Sequence, residues 1–88
     1  MMYLTTANVK DYLGKTLDVK KRILGLYPYK VIQTPSGEYL AVDRAGVGVV
    51  IAQPHDMFNA IYIEIVDGKE QYGEFQKAEG GQFGELQG

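Results

Sequence analysis

No cysteine occurs in this chain, and histidine occurs once. The first absence removes disulfide frameworks, thiol nucleophiles, iron–sulfur clusters and cysteine-based zinc sites. The second removes any metal centre that needs several imidazoles. Long apolar runs are missing too, and none approaches the roughly 20 residues a helix needs to cross a bilayer. From Met1 to Asn8 no basic segment precedes an apolar one, so no secretory signal is expected there. The expected setting is therefore cytoplasmic, without a membrane partner.

Charge of one sign is also lacking, because the formal net charge is only −2. Its distribution is uneven. Residues 1–30 hold six cations (Lys10, Lys15, Lys20, Lys21, Arg22, Lys30) against two anions, and residues 31–88 hold three against nine. Such asymmetry marks either a basic binding face or ordinary solvation of strand and helix edges. What is present suits one folded domain. The chain has 88 residues, of which 45 % are hydrophobic and seven are tyrosine. A domain of this size buries roughly 60–65 % of its unfolded surface, enough for one core without a metal or disulfide.

Turn signals organise the chain. Thr5 and Thr6 precede a short helical pattern with Val9, Tyr12 and Leu13 on one face, closed by Gly14. From Lys15 to Leu24, Leu17, Val19 and Ile23 share one parity, and Thr16, Asp18, Lys20 and Arg22 share the other. That is a half-buried strand. Gly25 to Pro28 reads as a bend, because proline cannot donate to a central ladder. Strands are expected at Tyr29–Thr34 and Glu38–Asp43, with turns at Pro35-Ser36-Gly37 and Asp43-Arg44-Ala45-Gly46.

Val47 to Ala52 is nearly all apolar and is expected to be the most central strand, with Gly48 marking a bulge or a close crossing. Ala60 to Val66 alternates Ile61, Ile63 and Ile65 against Tyr62 and Glu64. Asp67-Gly68 is a two-residue hairpin signal. Lys69 to Phe75 then reads as an edge strand guarded by Lys69, Glu70 and Glu74. Residues 1–76 form the expected domain, and residues 77–88, with four glycines in twelve, read as a flexible tail.

The reading is thus α+β and mostly β: a short N-terminal helix, then a five- to six-stranded antiparallel meander, curved as a sheet or resembling an SH3-like half-barrel. An open sheet with the helix packed across one face is the second architecture.

Catalytic chemistry finds little support. His55-Asp56 lacks a nucleophile and a charge stabiliser at any legible spacing. Asp67-Gly68-Lys69-Glu70 lacks the spaced oxygens of a calcium loop. Gly46-Val47-Gly48 lacks the third glycine and following helix of a dinucleotide site, and Gly14-Lys15-Thr16 follows a helix instead of opening one. The chain therefore reads as a non-enzymatic protein-binding or regulatory module without a cofactor or metal, a kind of short chain common among accessory proteins of phages and mobile elements.

Its candidate contacts are Tyr39, Tyr62 and Tyr72, as a tyrosine ladder on one sheet face or edge, and Phe83 and Leu86, the apolar groups of the tail. The partner would be another protein or a second copy. The alternative is nucleic acid, bound by Lys20, Lys21, Arg22, Tyr27, Tyr29 and Lys30 as cations interleaved with stacking rings.

Overall fold

A computed structural model describes residues 2–75. The expected tail, including Phe83 and Leu86, lies outside the described residues.

Seven strands form one mixed sheet: β1 (Met2–Tyr3), β2 (Thr16–Lys21), β3 (Gly25–Gln33), β4 (Tyr39–Val42), β5 (Gly48–Val50), β6 (Ile61–Val66) and β7 (Lys69–Glu74). Their order is β1-β6-β7-β2-β3-β4-β5. Every pairing is antiparallel except β2 with β7, which run parallel. The sheet is not closed. Beyond the strands a single parallel bridge sets Thr5 beside Ala52, where the Thr6 N–H donates to the Ala52 carbonyl at 2.9 Å. No helix among the described residues is long and apolar enough to cross a membrane.

The predominance of strand agrees with the alternating side chains, but the N-terminal helix does not form. In its place stands one 3₁₀ turn, Val9–Tyr12. The buried pair explains the choice. Val9 and Tyr12 are three residues apart and both enter the core, which a three-residue turn allows, while Leu13 is left outward. Thr5 does hold the entry: its Oγ1 accepts from the Ala7 N–H at 3.2 Å, and the Asn8 Oδ1 accepts from the Thr5 N–H at 3.0 Å. Gly14 ends the turn at φ +81°, the left-handed conformation its position called for.

Three further expectations are corrected. The meander is not all-antiparallel, because β7 returns parallel beside β2, and it exceeds six strands because Met2–Tyr3 adds β1 beside β6. The bend at Gly25–Pro28 is part of β3. Ladder phase accounts for the proline. The nitrogens of Lys30 and Ile32 face β4, and Pro28 shares their phase but lies past Val42, the last β4 residue, where no donor is needed. Finally, centre and edge are exchanged. The apolar Val47–Ala52 stretch supplies β5, an edge, while the charged Lys69–Glu74 strand lies between β6 and β2.

The inner face carries the core: Leu4, Val9, Tyr12, Leu17, Val19, Tyr29, Val31, Ala41, Ile51 and Ile63. The hairpin turns follow their residue chemistry. Asp43 Oδ1 accepts from the N–H groups of Ala45 and Val47, each at 2.9 Å, and the Gly37 N–H donates to the Thr34 carbonyl at 2.8 Å. Asp67 and Gly68 both take positive φ, 52° and 76°, as a two-residue turn matched to strand twist requires.

Candidate functional site

Register sorts the candidate residues onto two faces. Cross-strand pairing sets one row of the inner face as Met2, Ile63, Tyr72, Val19 and Tyr27. The matching row of the outer face is Tyr3, Tyr62, Gly73, Lys20 and Leu26. Tyr39, Tyr62 and Tyr72 therefore do not share a face. Tyr39 and Tyr72 pack against the core from the inner side, and Tyr62 stands outside.

Two tyrosine–carboxylate clusters flank the inner core. In one, Glu70 takes two hydroxyls: Tyr72 donates to Oε1 at 2.7 Å and Tyr12 to Oε2 at 3.2 Å. The two rings meet edge-on, 6.4 Å apart. Burial, followed by the hydrogen bond to Glu70, pushes the Tyr72 hydroxyl up to about 12. Burial likewise raises Tyr12, with Glu70 adding to it.

In the other cluster, the Lys21 ammonium lies 4.9 Å from the Tyr27 ring centre and 5.0 Å from that of Tyr29, and 3.2 Å from the Glu74 carboxylate. The Tyr29 hydroxyl, and then Glu74, hold its pKa above the ordinary lysine value against the opposing effect of burial. Tyr27 donates to Asp43 Oδ2 at 3.2 Å, and the negative charge of Asp43 raises its pKa. Beside this cluster lies a cavity of ≈ 90 Å³ lined by Val19, Tyr29, Ala41, Val49, Asn59, Ile61 and Glu74.

Of the basic candidates, then, Lys21, Tyr27 and Tyr29 are engaged with one another on the inner side. Lys20 and Lys30 stand exposed on the outer face, and Arg22 sits in the β2–β3 turn. His55 is exposed in the turn that follows Gln53. Among the described residues no group of three His, Asp or Glu side chains is placed to hold a metal ion.

The outer face holds the feature that the tyrosine pattern alone did not locate. Gly73 leaves a gap in its row, and the Tyr62 ring lies across it: a β-carbon at Gly73 would fall within that ring. The two-residue loop at Asp67-Gly68 already implies this pairing, since stepping back from Val66 and Lys69 brings Tyr62 opposite Gly73. Around the ring runs a groove of ≈ 480 Å³ that includes Asp18, Lys20, Leu26, Tyr62, Glu64 and Gln71 in its walls. On the other side of Tyr62 a second depression, ≈ 410 Å³, is lined by Lys20, Lys21, Arg22, Tyr62 and Glu74.

Farther along the same face, Ile32, Leu40, Val42 and Val50 continue an apolar surface over β3, β4 and β5. Compared with known proteins, the chain matches no family model, no curated protein and no solved structure.

Proposed function

We propose that this chain is a non-enzymatic binding module that docks a protein partner on the outer sheet face, in the groove between Tyr62 and Leu26. The observation that carries this reading is the outer row in which the Tyr62 ring lies across Gly73 and Leu26 stands exposed beyond Lys20, both lining one groove. Leu26 is 66 % exposed, an apolar wall with no cover among the described residues. Tyr62 is braced by the backbone beneath it, so its ring loses little freedom when a partner packs on the remaining surface. Asp18 and Glu64 outnumber Lys20 around the groove, which favours a partner segment carrying basic side chains.

Photo-cross-linking tests the reading. A benzophenone side chain at residue 26 or residue 64 is expected to capture a discrete partner in cells that naturally contain the protein. The same group at Ser36, in the β3–β4 turn, is expected to capture none. Equal capture from all three positions, or none from any, would refute the docking face.

Nucleic acid is the second reading, favoured by the depression in which Tyr62 stands beside Lys20 and Arg22. Tyr27 and Tyr29 weigh against it because Lys21 already covers their rings, and Glu74 neutralises that lysine. A phosphate-driven contact would weaken steeply with added salt, whereas an apolar groove contact would change little.

A further inference from the structure

β5 ends the sheet, and among the described residues no strand pairs with its outer side. Its bonds to β4 run through alternate residues. The Asp43 N–H donates to the Val47 carbonyl at 3.0 Å, the Ile51 N–H donates to the Tyr39 carbonyl at 3.1 Å, and Val49 lies opposite Ala41 between them. An antiparallel ladder alternates, so the N–H and C=O groups of Gly48 and Val50 face away from β4. Natural edges are usually guarded by a charge, a proline or a bulge. The run Gly46-Val47-Gly48-Val49-Val50-Ile51-Ala52 contains neither charge nor proline, and Val47 and Val50 are 59 % and 60 % exposed.

We infer that β5 pairs antiparallel with β5 of a second copy of this chain, about a two-fold axis through Val49. The inference rests on the reading of the chain as a binding module and names one of its partners. The edge is self-complementary. Gly48 faces the partner's Val50, each exchanging N–H and C=O with the other, and the symmetric pair repeats the arrangement.

Side chains agree with the register. Gly48 and Val50 both lie on the outer face, so the valine of one copy stands over the glycine of the other, beside Leu40 and Val42. The two-fold axis also sets Val49 against its own image, where a charge would meet a like charge. The uncharged run removes that repulsion. The contact stops at Ala52, whose carbonyl is already taken by the Thr6 N–H.

A single cysteine reads the register directly in this cysteine-free chain. On the axis, residue 49 faces its own image as a non-hydrogen-bonded pair, with α-carbons about 4.5 Å apart, within reach of a disulfide. Mild oxidation of Val49→Cys is expected to give a covalent dimer, and oxidation of Ser36→Cys is expected to give none. Because a short edge contact is weak, sedimentation of the unmodified chain from about 10 µM to about 1 mM should show dimer growing with concentration.

Val50→Pro removes an outward N–H while leaving the bonds to β4 in place. It should abolish the dimer with an unchanged circular dichroism spectrum, and a chain ending at Gln76 should still dimerise. A monomer throughout the range with no cross-link at residue 49 overturns the inference, as does loss of the dimer on truncation, which would assign the edge to residues 77–88. Neither result alters capture from residues 26 and 64, so failure here is separable from failure of the docking face.

Discussion

The Tyr62 ring occupies the space that a side chain at Gly73 would fill, joining β6 to the middle of the sheet by packing across a directly opposed pair. Glycine in a strand interior forfeits side-chain packing and is entropically costly, and an aromatic neighbour recovers part of that loss.

Gly73→Ala is therefore expected to destabilise the fold by about 1–3 kcal/mol, although alanine suits a strand better than glycine, because the Tyr62 ring has to leave its seat. Tyr62→Ala should destabilise it as well, by uncovering the β7 backbone. The double variant is expected to be clearly more stable than the sum of the two single effects predicts, since alanine at residue 73 no longer meets a ring. Urea unfolding of all four proteins measures the coupling. Additive effects would mean that the ring and the glycine do not interact.

What was legible in the chain followed the range of each interaction. Asp67-Gly68, Asp43 to Gly46 and Thr34 to Gly37 act within a few residues, and their hairpins formed as their chemistry requires. The parallel pairing of Val19 with Tyr72 joins segments that no short turn connects, so no local residue announces it. Once β7 enters beside β2, it can no longer be an edge. Glu70 and Glu74, which read as guards against stacking, are instead the acceptors of tyrosine hydroxyls and the partner of Lys21.

Apolarity misled at β5 for a related reason. A run such as Val47–Ile51 signals burial on both faces only if something covers the second face, and here the outer side of Val50 remains open. The tyrosines show the same limit. Parity placed Tyr62 opposite the isoleucine stripe correctly, but parity within one strand does not say which face Tyr39 or Tyr72 takes on another.

Alkaline pH should act on the Glu70 cluster. Tyr72 ionises near 10 when unfolded and near 12 when folded, so the folded state retains a proton that the unfolded state has lost. Its contribution is complete below about pH 10 and disappears as pH rises towards about 12. The raised Tyr12 adds in the same direction. Unfolding midpoints should therefore fall over that interval, and tyrosinate absorbance should show hydroxyls titrating later than free tyrosine. Glu70→Gln is expected to bring the late titration earlier while leaving it above the free value, because burial is the larger cause. A late titration unchanged in Glu70→Gln would exclude the carboxylate as a contributor.

Lys21 joins β2 to both of its neighbours, to β7 through Glu74 and to β3 through the rings of Tyr27 and Tyr29, and salt and substitution separate the two attractions. Its ammonium rests against the rings of Tyr27 and Tyr29, a contact from which water is partly excluded, and it also meets Glu74, a carboxylate still 38 % exposed. Exposed ion pairs contribute at most about 1 kcal/mol and fade with salt, whereas a cation over an aromatic face contributes about 0.5–2 kcal/mol and is less screened. Glu74→Gln is accordingly expected to lower stability by less than about 1 kcal/mol, with the difference vanishing at about 1 M salt. Lys21→Ala should lower it by about 1–2 kcal/mol and retain most of that deficit in the same salt, because the rings lose both the charge and the alkyl stem that covers them. Lys21→Met, which keeps a stem, should fall between the two. Thermal unfolding of the three variants at low and high salt gives the comparison, and a Lys21→Ala deficit that disappeared with salt would mean that the ion pair to β7, not the tyrosine rings of β3, carries the stabilising effect of Lys21.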